Sequence, residues 1–238
     1  MTKRSLAIFA LSLASLNACT SDITKEEAPN QPVKYVALTF DDGPNVTLTP
    51  MVIEKLDAHN VSATFFLVGQ NINDTTRDLL TGMVTRGYEF GNHSWDYQLL
   101  NNKTREQILK SVNDTQQAII NYTGTAPAFF RPPNLATSEV MFDVIDYPFA
   151  SGVVGYDWSG TGATTQEVAN NVINNVQDGS IVLLHDTQPL PHPTPAALDI
   201  IIPELKSRGY QFVTLSKLFE IKGVIPKAHD GKVWTTVK

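Results

Sequence analysis

Asp41 and Asp42 stand side by side at the end of an apolar run, immediately ahead of a Gly43-Pro44 turn. Two carboxylates this close are tolerated when a cation neutralises one and the other is held as a base. A helix cap explains a lone Asp-Asp-Gly-Pro equally well, so the choice rests on what else reaches the same place. Four more stretches carry side chains with chemistry: Asn92-His93-Ser94-Trp95-Asp96-Tyr97, Arg131-Pro132-Pro133-Asn134, Asp157-Trp158 and His185-Asp186. Singly, each has a plain explanation. His93 suits a satisfied core histidine, Arg131 a surface cation, Trp158 simple packing and His185-Asp186 a capping turn.

The elements that position these stretches decide the matter. Strands are predicted over residues 35–40, 63–68, 88–91, 128–130, 149–153, 180–184 and 211–214. Helices alternate with them over 49–59, 77–86, 104–121, 138–145, 165–177, 194–208 and 215–220. Met51, Val52 and Leu56 are assigned to the inner face of the first helix, Gly87 closes the second, and Ile108, Val112, Thr115 and Ile119 recur at helical spacing in the third. Seven βα units without an internal repeat fit a single-domain α/β chain, either a parallel barrel one unit short of eight or a doubly wound open sheet; the barrel is preferred. In such folds the active site lies at the carboxyl ends of the strands. There the chain would gather two acids, two histidines and an arginine, which packing does not require.

Composition bounds the partners. The 238 residues carry a net charge of -6, with 42% hydrophobic residues, enough for one sizeable core. That balance argues against nucleic acid or an anionic membrane as partner. Lys3 and Arg4, an apolar run over 6–16 and Asn17-Ala18-Cys19 have the layout of a bacterial export signal, assigned to 1–18. Cys19 is the single cysteine, so no intramolecular disulfide forms, and its place resembles the lipidated cysteine of a lipoprotein. Residues 19–32 then form a polar tether, 33–223 the folded domain and 224–238 a surface tail. An exported protein is expected, either a cell-surface lipoprotein, meeting the membrane only through a lipid on Cys19, or a secreted one. A monomer is expected.

Over roughly 33–223, nearly all of the expected mature domain, the chain resembles the NodB-like polysaccharide deacetylases, carbohydrate esterase family four, with the five motif stretches quoted above in order. The resemblance implies a distorted (β/α)7 barrel, one divalent metal ion (zinc, cobalt or nickel), and an acetylated polysaccharide or oligosaccharide as substrate. It implies Asp41 as general base, Asp42 and His93 as metal ligands, Arg131 as the clamp on the base and His185 as general acid. Leu183 and Trp158 line the acetyl pocket, and the backbone N–H of Asn134 serves the oxyanion. Metal-bound water then attacks the acetyl carbonyl as Asp41 takes its proton, and His185 protonates the departing sugar atom.

Three departures from the family pattern matter. Tyr97 stands where a second metal histidine is usual, one helical turn after His93, so Asp42 and His93 are the strong ligands and Tyr97 or water completes the set. Asn134 replaces the usual aromatic. Val154 stands where an acid three residues before Asp157-Trp158 is expected to support His185; Asp157 or Asp186 are the substitutes. A less tuned acid suits an ester better than an amide. Together with the proline-rich run after Asp186, these features resemble the acetylxylan esterase branch. The alternatives are an N-deacetylase of chitin oligosaccharides or peptidoglycan amino sugars, and a degenerate, non-catalytic carbohydrate-binding surface protein. His192 is placed as loop filler rather than as part of the cleft.

Overall fold

The computed structural model describes residue 1 and residues 32–158, 162–187 and 190–238. The expected export signal, the lipidation at Cys19 and nearly all of the tether lie outside the described residues, as do Ser159 to Thr161 of the hydroxyl-rich loop. Residues 32–238 form one compact unit.

Eight strands and seven α-helices are present among the described residues. β1 (Lys34–Asp41), β2 (Ala63–Leu67), β3 (Glu89–Asn92), β5 (Val153–Val154), β6 (Ser180–His185) and β7 (Tyr210–Phe212) pair parallel, in the order β3-β2-β1-β6-β5 with β7 also on β1. β4 (Phe149–Ala150) pairs with β8 (Val233–Trp234). The helices are α1 (Leu48–Ala58), α2 (Arg77–Thr85), α3 (Arg105–Thr123), α4 (Glu139–Val144), α5 (Thr165–Ile173), α6 (Thr194–Ser207) and α7 (Leu215–Ile221). This is the distorted (β/α)7 arrangement.

β1, β2 and β6 are buried on both faces, which is why they read as continuous apolar runs rather than alternating ones. α3 and α5 start at capping boxes, Thr104 with Gln107 and Thr164 with Glu167, each worth about 1 kcal/mol. The largest core cluster lies under α1, α2, α5 and α6, with Phe40 stacked on Phe65 and Leu184, Leu198 and Ile201 fully buried.

Several expectations are corrected. Met51 is exposed; α1 turns Val52, Ile53 and Leu56 inward instead. The strand expected over 128–130 is reduced to single bridges from Phe130 to Asn92 and Phe149. The strand over 149–153 is two short pieces, broken where Gly152 passes so close to β6 that a Cβ would press on the Ile181 carbonyl. The tail over 224–238 is no surface appendage: Trp234 and Val237 are buried beneath α7, and Ser151, Ile181 and Val237 N–H groups bond across between the tail and the barrel.

Candidate active site

Strand register decides which side chains meet. Asp41 and His185 are paired residues of β1 and β6, so both leave the sheet side by side at its carboxyl edge. On the other flank Asn92 pairs with Leu67 and bridges Phe130, so His93 and Arg131 emerge together one residue further on. All five principal residues expected from the sequence converge here.

Arg131 is fully buried, yet every part of its fork is engaged. Its terminal nitrogens donate to Asp41 Oδ1 at 2.6 Å, Thr39 Oγ1 at 2.8 Å and the Ser151 carbonyl at 2.7 Å, and Nε donates to the Ala150 carbonyl at 3.2 Å. The guanidinium also lies 4.0 Å over the Phe66 ring. A planar, permanently charged fork suits such a site in a way an ammonium does not. Asp41 is thereby fixed by one oxygen with the other turned to the cavity it lines.

Asp42 and His93 offer a metal its first two ligands. The His93 ring donates Nδ1–H to the Arg131 carbonyl at 2.7 Å, which leaves Nε2 as the acceptor, 3.4 Å from Asp42 Oδ1 and 3.9 Å from Asp41 Oδ2. An imidazole fixed through its far nitrogen and aimed at carboxylates is the usual form of a metal-ligating histidine. Burial disfavours the His93 imidazolium, but the charges of Asp41 and Asp42 outweigh it and raise its pKa. The donor set thus fits a divalent cation, although among the described residues no group of three His, Cys, Asp or Glu side chains is gathered for one.

Tyr97 does reach the same cavity, but not by a helical turn as the sequence spacing suggested. Residues 93–97 form a bent loop with Ser94 at φ 65°. Asn71 Nδ2 donates both to the Tyr97 hydroxyl at 3.0 Å and to the Asp42 carbonyl at 2.8 Å, tying the two together. Burial raises the Tyr97 pKa, so the phenol is neutral near pH 7 and a weak ligand.

His185 is better supported than expected. Its Nδ1 donates to Asp157 Oδ1 at 2.7 Å, its backbone N–H to Asp157 Oδ2 at 2.8 Å, and Thr194 Oγ1 donates to that same Oδ2. Burial works against the charged ring, but the Asp157 hydrogen bond and charge prevail and raise His185 to about 9. Asp157 therefore does the work for which Val154 lacks a carboxylate. Asp186 faces elsewhere: Oδ2 accepts from Thr49 Oγ1 at 2.6 Å, and its backbone N–H holds the Asp41 carbonyl at 3.1 Å. Burial, together with the charges of Asp42 and Asp41, pushes Asp186 up to about 7. Gly43 is required beside it, since a Cβ there would collide with the Asp186 carboxyl.

Asp41, Asp42, His93, Tyr97 and His185 floor one cavity of about 420 Å³, walled by Val154, Trp158, Leu183, Leu135 and the Pro132-Pro133-Asn134 turn. Of the seven non-glycine residues with positive φ among those described, Asp42, Asn134, Leu135 and Tyr156 line it; strain of this kind concentrates where surroundings hold a functional geometry. His192 is not among the residues lining the cavity; its Nδ1 accepts the N–H of Thr194, the residue whose hydroxyl bonds Asp157, at 3.4 Å. Sequence reasoning missed Thr39, Asn71, Tyr156 and Thr194. Thr194 starts α6 and reads as an ordinary helix start; an aromatic at Tyr156, beside Asp157, was the one available signal.

The polysaccharide deacetylase family matches residues 28–147. A family 4 acetyl xylan esterase from Clostridium thermocellum, solved in complex with a cobalt ion, superposes with a TM-score of 0.84 at 52% identity, covering 86% of this chain and 99% of that one. A bifunctional xylanase/deacetylase of Pseudobutyrivibrio xylanivorans is 39% identical over 95% of this chain and 37% of its own length. A peptidoglycan-N-acetylglucosamine deacetylase of Listeria monocytogenes is 36% identical over 84% of this chain and 42% of its own. The chain thus spans about two fifths of the length of these two curated relatives.

Proposed function

The chain belongs to the polysaccharide deacetylase family, and from that premise we propose that it is a metal-dependent hydrolase releasing acetate from acetylated carbohydrate, with O-acetyl esters of xylan as substrate. The observation that carries this reading is the pairing of Asp41, held by Arg131, with His185, held by Asp157, across adjacent strands at the floor of one cavity.

Asp42 and His93 would hold the divalent cation, zinc, cobalt or nickel, with water or Tyr97 beside them. Lewis acidity toward water and toward the acetyl carbonyl is the chemistry such a cation supplies when bound. Asp41 accepts the proton of the attacking water while Arg131 holds it in place. The water oxygen bonds to the acetyl carbon, and the bond from that carbon to the sugar oxygen breaks. His185, protonated at neutral pH, gives its Nε2 proton to the departing oxygen; acetate and a free hydroxyl result. The N–H of Asn134, on a turn held at φ 52°, is the protein donor to the oxyanion. Val154, Trp158 and Leu183 shape an apolar slot suited to the acetyl methyl.

Xylan is favoured by the 52% identity to an acetyl xylan esterase and by a cavity with no lysine or arginine among the residues lining it, which suits a neutral glycan. The peptidoglycan deacetylase relative supports the second reading, an amide of an amino sugar, and the strongly supported His185 is able to serve that leaving group as well. Acetate release from acetylated xylan and from chitooligosaccharides, measured side by side with metal added back to chelated protein, decides between them. Turnover of the amide substrate alone would overturn the xylan assignment. The export of the chain is part of the same proposal, since its substrate is an extracellular polymer; among the described residues no helix is long and apolar enough to cross a membrane.

A further inference from the structure

Tyr156 is half-exposed at 51%, on the rim of the same cavity, with φ at 58°. A bulky side chain in that backbone region is a real outlier, and one that glycine or asparagine would occupy at lower cost. The backbone on either side explains why the conformation is imposed. Gly155 N–H bonds the Leu183 carbonyl at 3.0 Å, and a Cβ on Gly155 would collide with Leu184. Asp157 is tied twice to His185. Pinned on both sides, residue 156 has to turn outward, but nothing in that constraint calls for an aromatic ring.

The ring itself extends a short series. Trp158 meets His185 edge-on at 5.8 Å between centroids, and Tyr156 meets Trp158 at 5.4 Å. His185 serves the sugar that loses its acetyl group, so the next ring out faces the neighbouring sugar. Tyr156, on the loop after β5, and Tyr97, on the loop after β3, line the same cavity, so a glycan chain lying across it passes both.

We propose that Tyr156 is a specificity-determining residue, a stacking platform for the pyranose ring adjacent to the acetylated sugar of a neutral glycan. The apolar C–H face of a sugar packs on an aromatic ring while its hydroxyls stay in water, an arrangement suited to a rim residue with a polar tip. The inference rests on the deacetylase reading and adds the subsite that recognises the polymer rather than the acetyl group.

The test compares wild type with Tyr156→Gly and Tyr156→Phe on the acetylated glycan and on 4-nitrophenyl acetate, which has no sugar to stack, together with thermal melting. For Tyr156→Gly, KM on the glycan is expected to rise about tenfold, the size of one aromatic stack. The ratio of kcat/KM for glycan to that for the small ester is expected to fall with it, while Tm stays level or rises as backbone strain is relieved. Tyr156→Phe should retain wild-type selectivity. An unchanged KM with intact acetate release, an equal loss on both substrates, or a lowered Tm for Tyr156→Gly overturns this inference alone. Release of acetate from no glycan by the wild-type protein overturns it together with the function beneath it.

Discussion

Asp157 holds His185 at two points, ring Nδ1 at 2.7 Å and backbone N–H at 2.8 Å, with Thr194 on the oxygen that takes the backbone bond. Because this pairing raises His185 to about 9, the imidazolium is the resting form at neutral pH, as a proton donor requires. Its contribution to stability is therefore fully present below the unfolded value of about 6.5 and is lost as pH rises through about 9. Asp157→Asn removes the charge and keeps the shape. The descending alkaline limb of the kcat profile is expected near pH 9 in the wild type and at least one unit lower in the variant. Coincident limbs in the two profiles would show that Asp157 does not tune the acid.

Arg131 and Asp41 differ in what their loss does. Arg131→Met strands a buried carboxylate and two carbonyls and leaves the Thr39 hydroxyl only its bond to the Val182 carbonyl, a situation that costs about 3–5 kcal/mol. Tm should fall on the order of 10 °C for a domain of this size. Asp41→Asn retains an oxygen for Arg131 and should melt much closer to wild type, yet lose acetate release by at least about a hundredfold. Sugar binding, followed by calorimetry, should survive in Asp41→Asn. A wild-type chain that binds glycan and releases no acetate with metal supplied would instead establish the non-catalytic alternative.

The metal should leave readily. With Asp42 and His93 as the strong donors and a neutral phenol at Tyr97, dialysis against chelator is expected to strip the ion and abolish activity, and added cobalt, nickel or zinc to restore it. Tyr97→His supplies a third strong donor from a loop that already reaches the cavity. Affinity for zinc, measured by competition with a chromogenic chelator, should rise at least about tenfold. Retention of a divalent ion by the wild type through full chelation would show that the site is stronger than its donors suggest.

Most of the site was legible because its residues follow the strands that were easiest to read. β1 and β6 are buried on both faces, so their apolar runs end visibly at Asp41 and His185. Other features leave no periodic trace. β4, β5 and β8 have two residues each, too few for an alternation, and Phe130 bridges its neighbours without joining a strand. Family grounds put the support for His185 at position 154, with Asp157 or Asp186 as substitutes; the side chain that bonds the ring is Asp157, three residues beyond the end of β5. The outward turn of Tyr156 depends on tertiary clamping of Gly155 and Asp157, which no local pattern encodes.

The C-terminal segment ties what was least legible to the chemistry. Trp234 and Val237 are buried against Phe219 and its neighbours, and Gly179 is placed so that a side chain there would strike the Val237 carbonyl. Trp234 also accepts the Ser151 N–H at 2.7 Å, and the Ser151 carbonyl in turn accepts from Arg131. The tail thus fixes a residue that fixes the arginine that fixes Asp41, the proposed base. Deleting residues 233–238 exposes one tryptophan pocket and breaks several backbone bonds, a loss on the order of 5 kcal/mol. The truncated protein is expected to melt at least about 10 °C lower. Assayed well below its new Tm with metal supplied, it should still show a reduced kcat, because Ser151 and with it Arg131 have lost their backing. A truncated form with lowered Tm but full kcat would confine the tail to stability and break its link to Asp41.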